Sequence, residues 1–154
     1  MPVNAKCGFD SVPGGATGAS LLAAYGPTII VDIGFDPNFD PSKGGVPLAG
    51  IKGIKALVDT GASHSCIDTM FATQLGLPIV DRKPIAGTYG KHDVNMYLAQ
   101  VHYPALGFTI WGQFAGVNLQ TGGQQHGALI GRAFLQNVTM VYNGATGDVV
   151  LIRP

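Results

Sequence analysis

Charge is scarce in this chain. Only 12% of its 154 residues are charged, and nine acids balance nine bases. A nucleic-acid binder needs a basic face, and there is no surplus to build one. Cysteine is scarce too, with Cys7 and Cys66 the only two. Cys7 lies in a Gly- and Ala-rich stretch and Cys66 in an apolar one. No disulfide framework is expected from such a pair, so a reducing compartment, the cytoplasm, is the default address. No apolar run is long enough to span a bilayer. The N-terminus lacks the basic segment and apolar stretch of a signal peptide. Neither a membrane nor a nucleic acid is therefore expected as a partner. The four histidines show no metal-ligand spacing, and neither a metal nor an organic cofactor is implied.

Glycine and proline are abundant, at 23 and 10 residues, and they punctuate short apolar runs throughout. That pattern predicts an all-β domain. The length suits one domain with its own core. Residues 1–26, with Pro13-Gly14-Gly15 at their centre, read as a flexible N-terminal extension, and residues 27–154 as the folded domain. The first convincing strand is Thr28 to Ile33. Asp36 to Gly45 reads as a surface loop; it lacks the central glycine and closing glutamate of a calcium loop. Val46 to Val58 reads as one or two strands with a turn at Lys52-Gly53. A single short helix is expected after residue 68. Asp68 or Thr69 caps it, Gly76 ends it, Pro78 prevents its continuation, and Met70, Phe71, Leu75 and Ala72 form its apolar face. Gly87 and Gly90 suggest a mobile hairpin. Val138–Tyr142 and Val149–Ile152 form another.

The organising stretch is Ala56-Leu57-Val58-Asp59-Thr60-Gly61-Ala62-Ser63. An apolar strand runs into a tight turn that presents one carboxylate. Gly61 permits a sharp bend and a close approach. Asp59 starts in a partly desolvated place, so it must be hydrogen-bonded, paired or put to use. Read alone, Asp-Thr-Gly is also compatible with a plain strand-end turn in which the acid caps backbone amides. Further along, Leu129-Ile130-Gly131-Arg132 repeats the device of an apolar strand, a glycine and a charge.

The order of these features, with the glycine-bearing hairpin between them, resembles the retropepsin-type aspartic proteases over roughly residues 27–153. The helix after the turn, the long C-terminal hairpin, Ile79-Val80-Asp81-Arg82-Lys83 and Leu98-Ala99-Gln100-Val101 resemble cellular and bacterial members most closely. The retropepsin domains of the DNA-damage-inducible ubiquitin shuttle proteins are an example. The resemblance implies a retropepsin-like all-β fold and an aspartic endopeptidase. Asp59 would be the catalytic carboxylate, with Thr60 holding two turns together across a dimer axis. Gly61 and Ala62 would let substrate approach. Ile85, Gly87, Tyr89, Gly90 and Ile130 would contact substrate, with Tyr89 the covering aromatic of the flap. Ile130 and Gly131 would also support the turn from beneath, and Arg132 would tie it to a helical piece at Ala133–Gln136.

Such chemistry needs two acids sharing one proton. No second Asp-Thr/Ser-Gly occurs, and Asp32-Ile33-Gly34 has strand surroundings and reads as structural. The second acid is therefore expected from Asp59 of another copy, in a twofold homodimer acting on a peptide or protein substrate. The C-terminal strand Val149–Ile152 is expected to supply much of the interface. One departure stands out. Retroviral members carry an acid four residues after the catalytic Asp, paired with the arginine of Ile-Gly-Arg; here that position is Ser63, followed by His64.

Other readings compete. Gly61-Ala62-Ser63-His64-Ser65 nearly forms a nucleophile elbow, but Ser65 replaces its last glycine. Cys66 with His92, His102 or His126 would make a cysteine protease, although Cys66 reads better as a small apolar residue. A retropepsin-like dimer that binds peptides or serves as a scaffold without cleaving them is the remaining alternative.

Overall fold

The computed structural model describes residues 1–87 and 90–154. Two sheets carry the molecule. In chain order the elements are β1 (Val3–Lys6), α1 (Gly18–Tyr25), β2 (Thr28–Gly34), β3 (Ile51–Val58), β4 (Cys66–Asp68), α2 (Thr69–Leu75), β5 (Ile79–Gly87), β6 (Gly90–Tyr103), β7 (Phe108–Val117), β8 (Ala128–Ile130), α3 (Arg132–Leu135), β9 (Thr139–Asn143) and β10 (Asp148–Arg153). Single 3-10 turns lie at Pro41–Lys43 and Pro104–Leu106. The larger sheet runs β2-β3-β8-β4-β7-β6-β5, and Asp32–Gly34 of β2 also pair with β6, which closes it on itself. The smaller sheet runs β1-β10-β9. This is the all-β, retropepsin-like architecture the sequence predicts.

Alternation explains which side of each strand is inside. In β2, Ile29, Val31 and Ile33 are buried while Ile30 is exposed, the period-two pattern of a half-buried strand. Ala56 and Val58 of β3 join them, with Val101, Leu106, Phe114, Ile130 and Phe134 from later elements. A smaller cluster of Cys66, Met96 and Ala115 gathers Ile85, Val94, Val117 and Leu129 around it.

α2 begins and ends as its sequence predicts. The Asp68 carboxylate accepts from Met70 N at 2.9 Å, and Gly76 takes the left-handed conformation at the C-cap. Its buried side is Ala72, with Phe71 and Leu75 half-buried; Met70 is exposed, so it does not belong to the core face. The other Asp68 oxygen accepts from Gln120 N at 2.9 Å, so this buried acid also anchors the loop after β7.

Three expectations need correction. Residues 1–26 are packed, not loose. β1 pairs with β10, Ala5, Cys7 and Leu22 are buried in the main core, and Thr17 caps α1 by accepting from Ser20 N. α2 is consequently not the single short helix of the chain. Lys52-Gly53 does not turn the chain back. β3 continues through it with a register shift against β2, and Gly53, at φ +74°, donates its amide to the Asp32 carboxylate at 3.1 Å. A glycine in that conformation makes a bulge as readily as a hairpin.

Candidate active site

β3 delivers Asp59 to its position. Parallel pairing sets Val58 beside Ile130, and Asp59 N donates to Ile130 O at 2.9 Å. Asp59 is half-buried, and its carboxylate accepts from Gly61 N at 2.9 Å; Ala62 N donates back to Asp59 O at 3.2 Å. The turn is thus closed by its own backbone, with Thr60 and Gly61 exposed at its tip and Ala62 half-buried behind them.

Beneath the turn, Gly131 N donates to the buried Ser65 hydroxyl at 3.0 Å, and Arg132 N donates to Ala62 O at 2.8 Å. Arg132 Nη1 donates to Thr60 O at 2.9 Å. Arg132 therefore grips the turn through a main-chain carbonyl, without the acid that Ser63 replaces. Gly131 is required by space. A Cβ there would lie 2.6 Å from Ala62 O and 3.0 Å from His64 O.

The Gly87–Gly90 hairpin forms as expected, with Gly87 opposite Gly90 and Ile85 opposite His92. Gly90 has φ +101°. Ile85 is half-buried and packs, with Val94, on the Cys66–Met96–Ala115 cluster. The expected covering aromatic, Tyr89, lies outside the described residues.

Ile130 is not an open substrate contact. It is fully buried in the main core, and only its supporting role through the Asp59 amide remains. Side chains alternate across a strand, so the exposed face of β8 belongs to Leu129. Leu129 is half-buried and sits in register beside Leu57, also half-buried, two residues before Asp59. These two leucines, paired side by side on the strands that lead to Asp59 and Gly131, were missed. The signal was present: Ala56 and Val58 flank Leu57, as Ala128 and Ile130 flank Leu129, so one of each alternating set had to face outward.

The nucleophile alternatives find little support in this geometry. Cys66 is buried, and burial with the nearby Asp59 charge pushes its thiol up to about 11, away from the reactive thiolate. Ser63 Oγ and His64 Nδ1 are 3.2 Å apart, but both residues are exposed. Among the described residues no carboxylate is bonded to His64 to orient it as a base.

Residues 48–137 match the family described as "gag-polyprotein putative aspartyl protease". The chain belongs to this family of retroviral-type aspartyl proteases. The matched residues include both the Asp59 turn and the Gly131-Arg132 support beneath it. A solved structure of EIAV protease complexed with the inhibitor HBY-793 is similar at 19% identity and a TM-score of 0.47, covering 71% of this chain and 85% of that one. No curated protein matches the chain. Neither finding bears on the finer likeness to the ubiquitin shuttle proteins. Among the described residues no helix is long and apolar enough to cross a membrane.

Proposed function

We propose that this aspartyl protease family member is an endopeptidase acting as a homodimer, with Asp59 from each copy forming the catalytic pair. The observation that carries the reading is the presentation of Asp59. One carboxylate stands at a backbone-closed turn at the end of β3, where Leu57 and Leu129 pair side by side on the adjoining strands. A single chain supplies one such acid. Asp32 is engaged within the sheet, accepting from Gly53 N.

Two carboxylates brought close share one proton, because like charges there cannot both ionise. The ionised acid takes a proton from a bound water, whose oxygen attacks the scissile carbonyl carbon. The protonated acid gives its proton to the carbonyl oxygen. Collapse of the tetrahedral intermediate breaks the C–N bond as a proton passes to the leaving nitrogen. An extended peptide would lie as an added strand under the hairpin, with apolar side chains against Leu57, Leu129 and Ile85. The two free, buried cysteines suit a reducing compartment such as the cytoplasm.

The test is cleavage of a peptide library from acid to alkaline pH by the wild type and by Asp59→Asn. Cleavage by the wild type alone, fading as the pair loses its shared proton, is the expected result. Equal cleavage by both proteins overturns the role of Asp59. Peptide binding by both without cleavage assigns the fold to a peptide-binding module.

A further inference from the structure

The outer face of β6 and β7 carries the chain's single tryptophan. Trp111 sits mid-strand on β7, opposite Gln100 of β6, and is 58% exposed. The loop of residues 35–45 lies against the same face. The buried Gln100 side chain holds it there as a short piece of sheet would. Its Oε1 accepts from Asp36 N at 2.6 Å and its Nε2 donates to Asp36 O at 3.3 Å. The Asp36 carboxylate accepts from Asn38 N at 2.9 Å and Leu48 N at 3.3 Å. Asp40 caps the turn at Pro41–Lys43, accepting from Ser42 N at 2.9 Å. The loop is thus fixed by its own hydrogen bonds, with Phe35 exposed and Phe39 half-buried.

Two neighbouring hollows result, of about 310 and 270 Å³. Phe39, Pro41 and Trp111 line both, and Phe35, Pro37 and Leu98 add to the first. The polar side chains here are already engaged. Gln100 and Asp36 hold the loop, and Thr109 Oγ1 lies 2.9 Å from His102 Nδ1. A sugar, which needs many hydrogen-bonding partners, finds few. What is left is ring faces and charge. Lys43 pairs with Asp40 at 3.9 Å, and among the described residues no cation pairs with Asp36. The first hollow therefore keeps one uncompensated negative charge, which complements a basic ligand.

We propose that this face docks a proline-rich segment of a partner protein, with a basic residue beside its prolines. Polyproline II helices keep their backbone solvated and ask for no backbone partner. They are recognised by aromatic-lined grooves. Prolines three positions apart share one side of such a helix, one for each hollow. The neighbouring arginine or lysine is drawn by Asp36 and by the open ring of Trp111. The site uses neither Asp59 nor a second copy of the chain, so it stands apart from the proposed proteolysis.

Trp111 reports on its own site, because no other tryptophan emits. A synthetic Pro-x-x-Pro peptide flanked by arginine should shift its emission saturably to the blue, in the wild type and in Asp59→Asn alike. The same peptide with glutamate in place of arginine should bind about fivefold more weakly. Trp111→Ala changes an exposed residue and leaves the core intact. Read by anisotropy of the labelled peptide, it should lose about tenfold or more, and Phe39→Ala should weaken binding in the same direction. No saturable shift, equal binding of the two peptides, or full binding by Trp111→Ala overturns the site. A shift with a cello-oligosaccharide and none with the peptide overturns it in favour of a sugar. A shift lost in Asp59→Asn overturns it by moving the peptide to the proposed cleft. No readout uses cleavage. A protein that binds the peptide and cleaves nothing sinks the protease reading and leaves this site standing; a cleaving enzyme whose Trp111 is silent does the opposite.

Discussion

Gly131→Ala isolates the support beneath the catalytic turn. Gly131 has φ −93°, which any residue adopts, so the backbone imposes no glycine here. Space does. The added Cβ would meet Ala62 O at 2.6 Å and His64 O at 3.0 Å. Both obstacles are backbone, so neither can swing aside as a side chain would. The Ala62 carbonyl must retreat by about 0.8 Å to reach ordinary contact, and it is the acceptor for Arg132 N. Overpacking of this kind costs about 1–3 kcal/mol, or roughly 2–4 °C in Tm per kcal/mol for a chain of this size. Ala62 N also bonds Asp59 O, so the shift reaches the carboxylate. A 1 Å misplacement costs on the order of 100-fold in rate, and a loss of about tenfold or more is expected. Ser65→Ala attacks the same point from the other side. It removes the acceptor of Gly131 N and leaves a buried donor unpaired, at about 1–3 kcal/mol. Urea denaturation of both single variants and the double, with peptide cleavage in parallel, is the assay. The double should lose less than the sum, because both changes strain one contact. A Gly131→Ala protein within about 0.5 kcal/mol of wild type and equally active would refute the steric argument.

Leu22→Ala should destabilise the protein by about 2–4 kcal/mol in denaturant melts, since Leu22 is buried in the main core; an unchanged midpoint would return residues 1–26 to a loose arm. Stability should also fall as pH drops below about 6.5. Burial and the Lys55 charge hold the buried His126 below its ordinary pKa of 6.5, so the unfolded chain takes up its proton first as pH falls. His126→Gln should flatten that part of the stability profile, and an identical slope in both proteins counts against it.

The parts legible in the sequence are those set by neighbours along the chain. Asp68 and Gly76 mark the ends of α2, glycines mark the hairpins, and the Asp59 turn follows from an apolar run meeting Thr60-Gly61. What stayed hidden depends on distant partners. α1 and β1 have the composition of a linker, and they are ordered by β10, at the far end of the chain. Arg132 finds a carbonyl instead of an acid, which no spacing rule encodes. Ile130 and Leu129 exchange roles because a three-residue strand reveals its alternation but not which face is inside. That β10 is filled on both sides is visible only once β1 is placed beside it.

The pairing of Val3 with Arg153 also orders events in time. Nearly the whole chain lies between these two residues, so this contact closes the longest loop in the molecule and raises the contact order. Such closures come late and slow folding. The β9–β10 hairpin, joined by a four-residue link, is local and forms early. The edge at β9 therefore exists before β1 locks the sheet from behind. Closing β1 onto β10 is then the step that completes the smaller sheet.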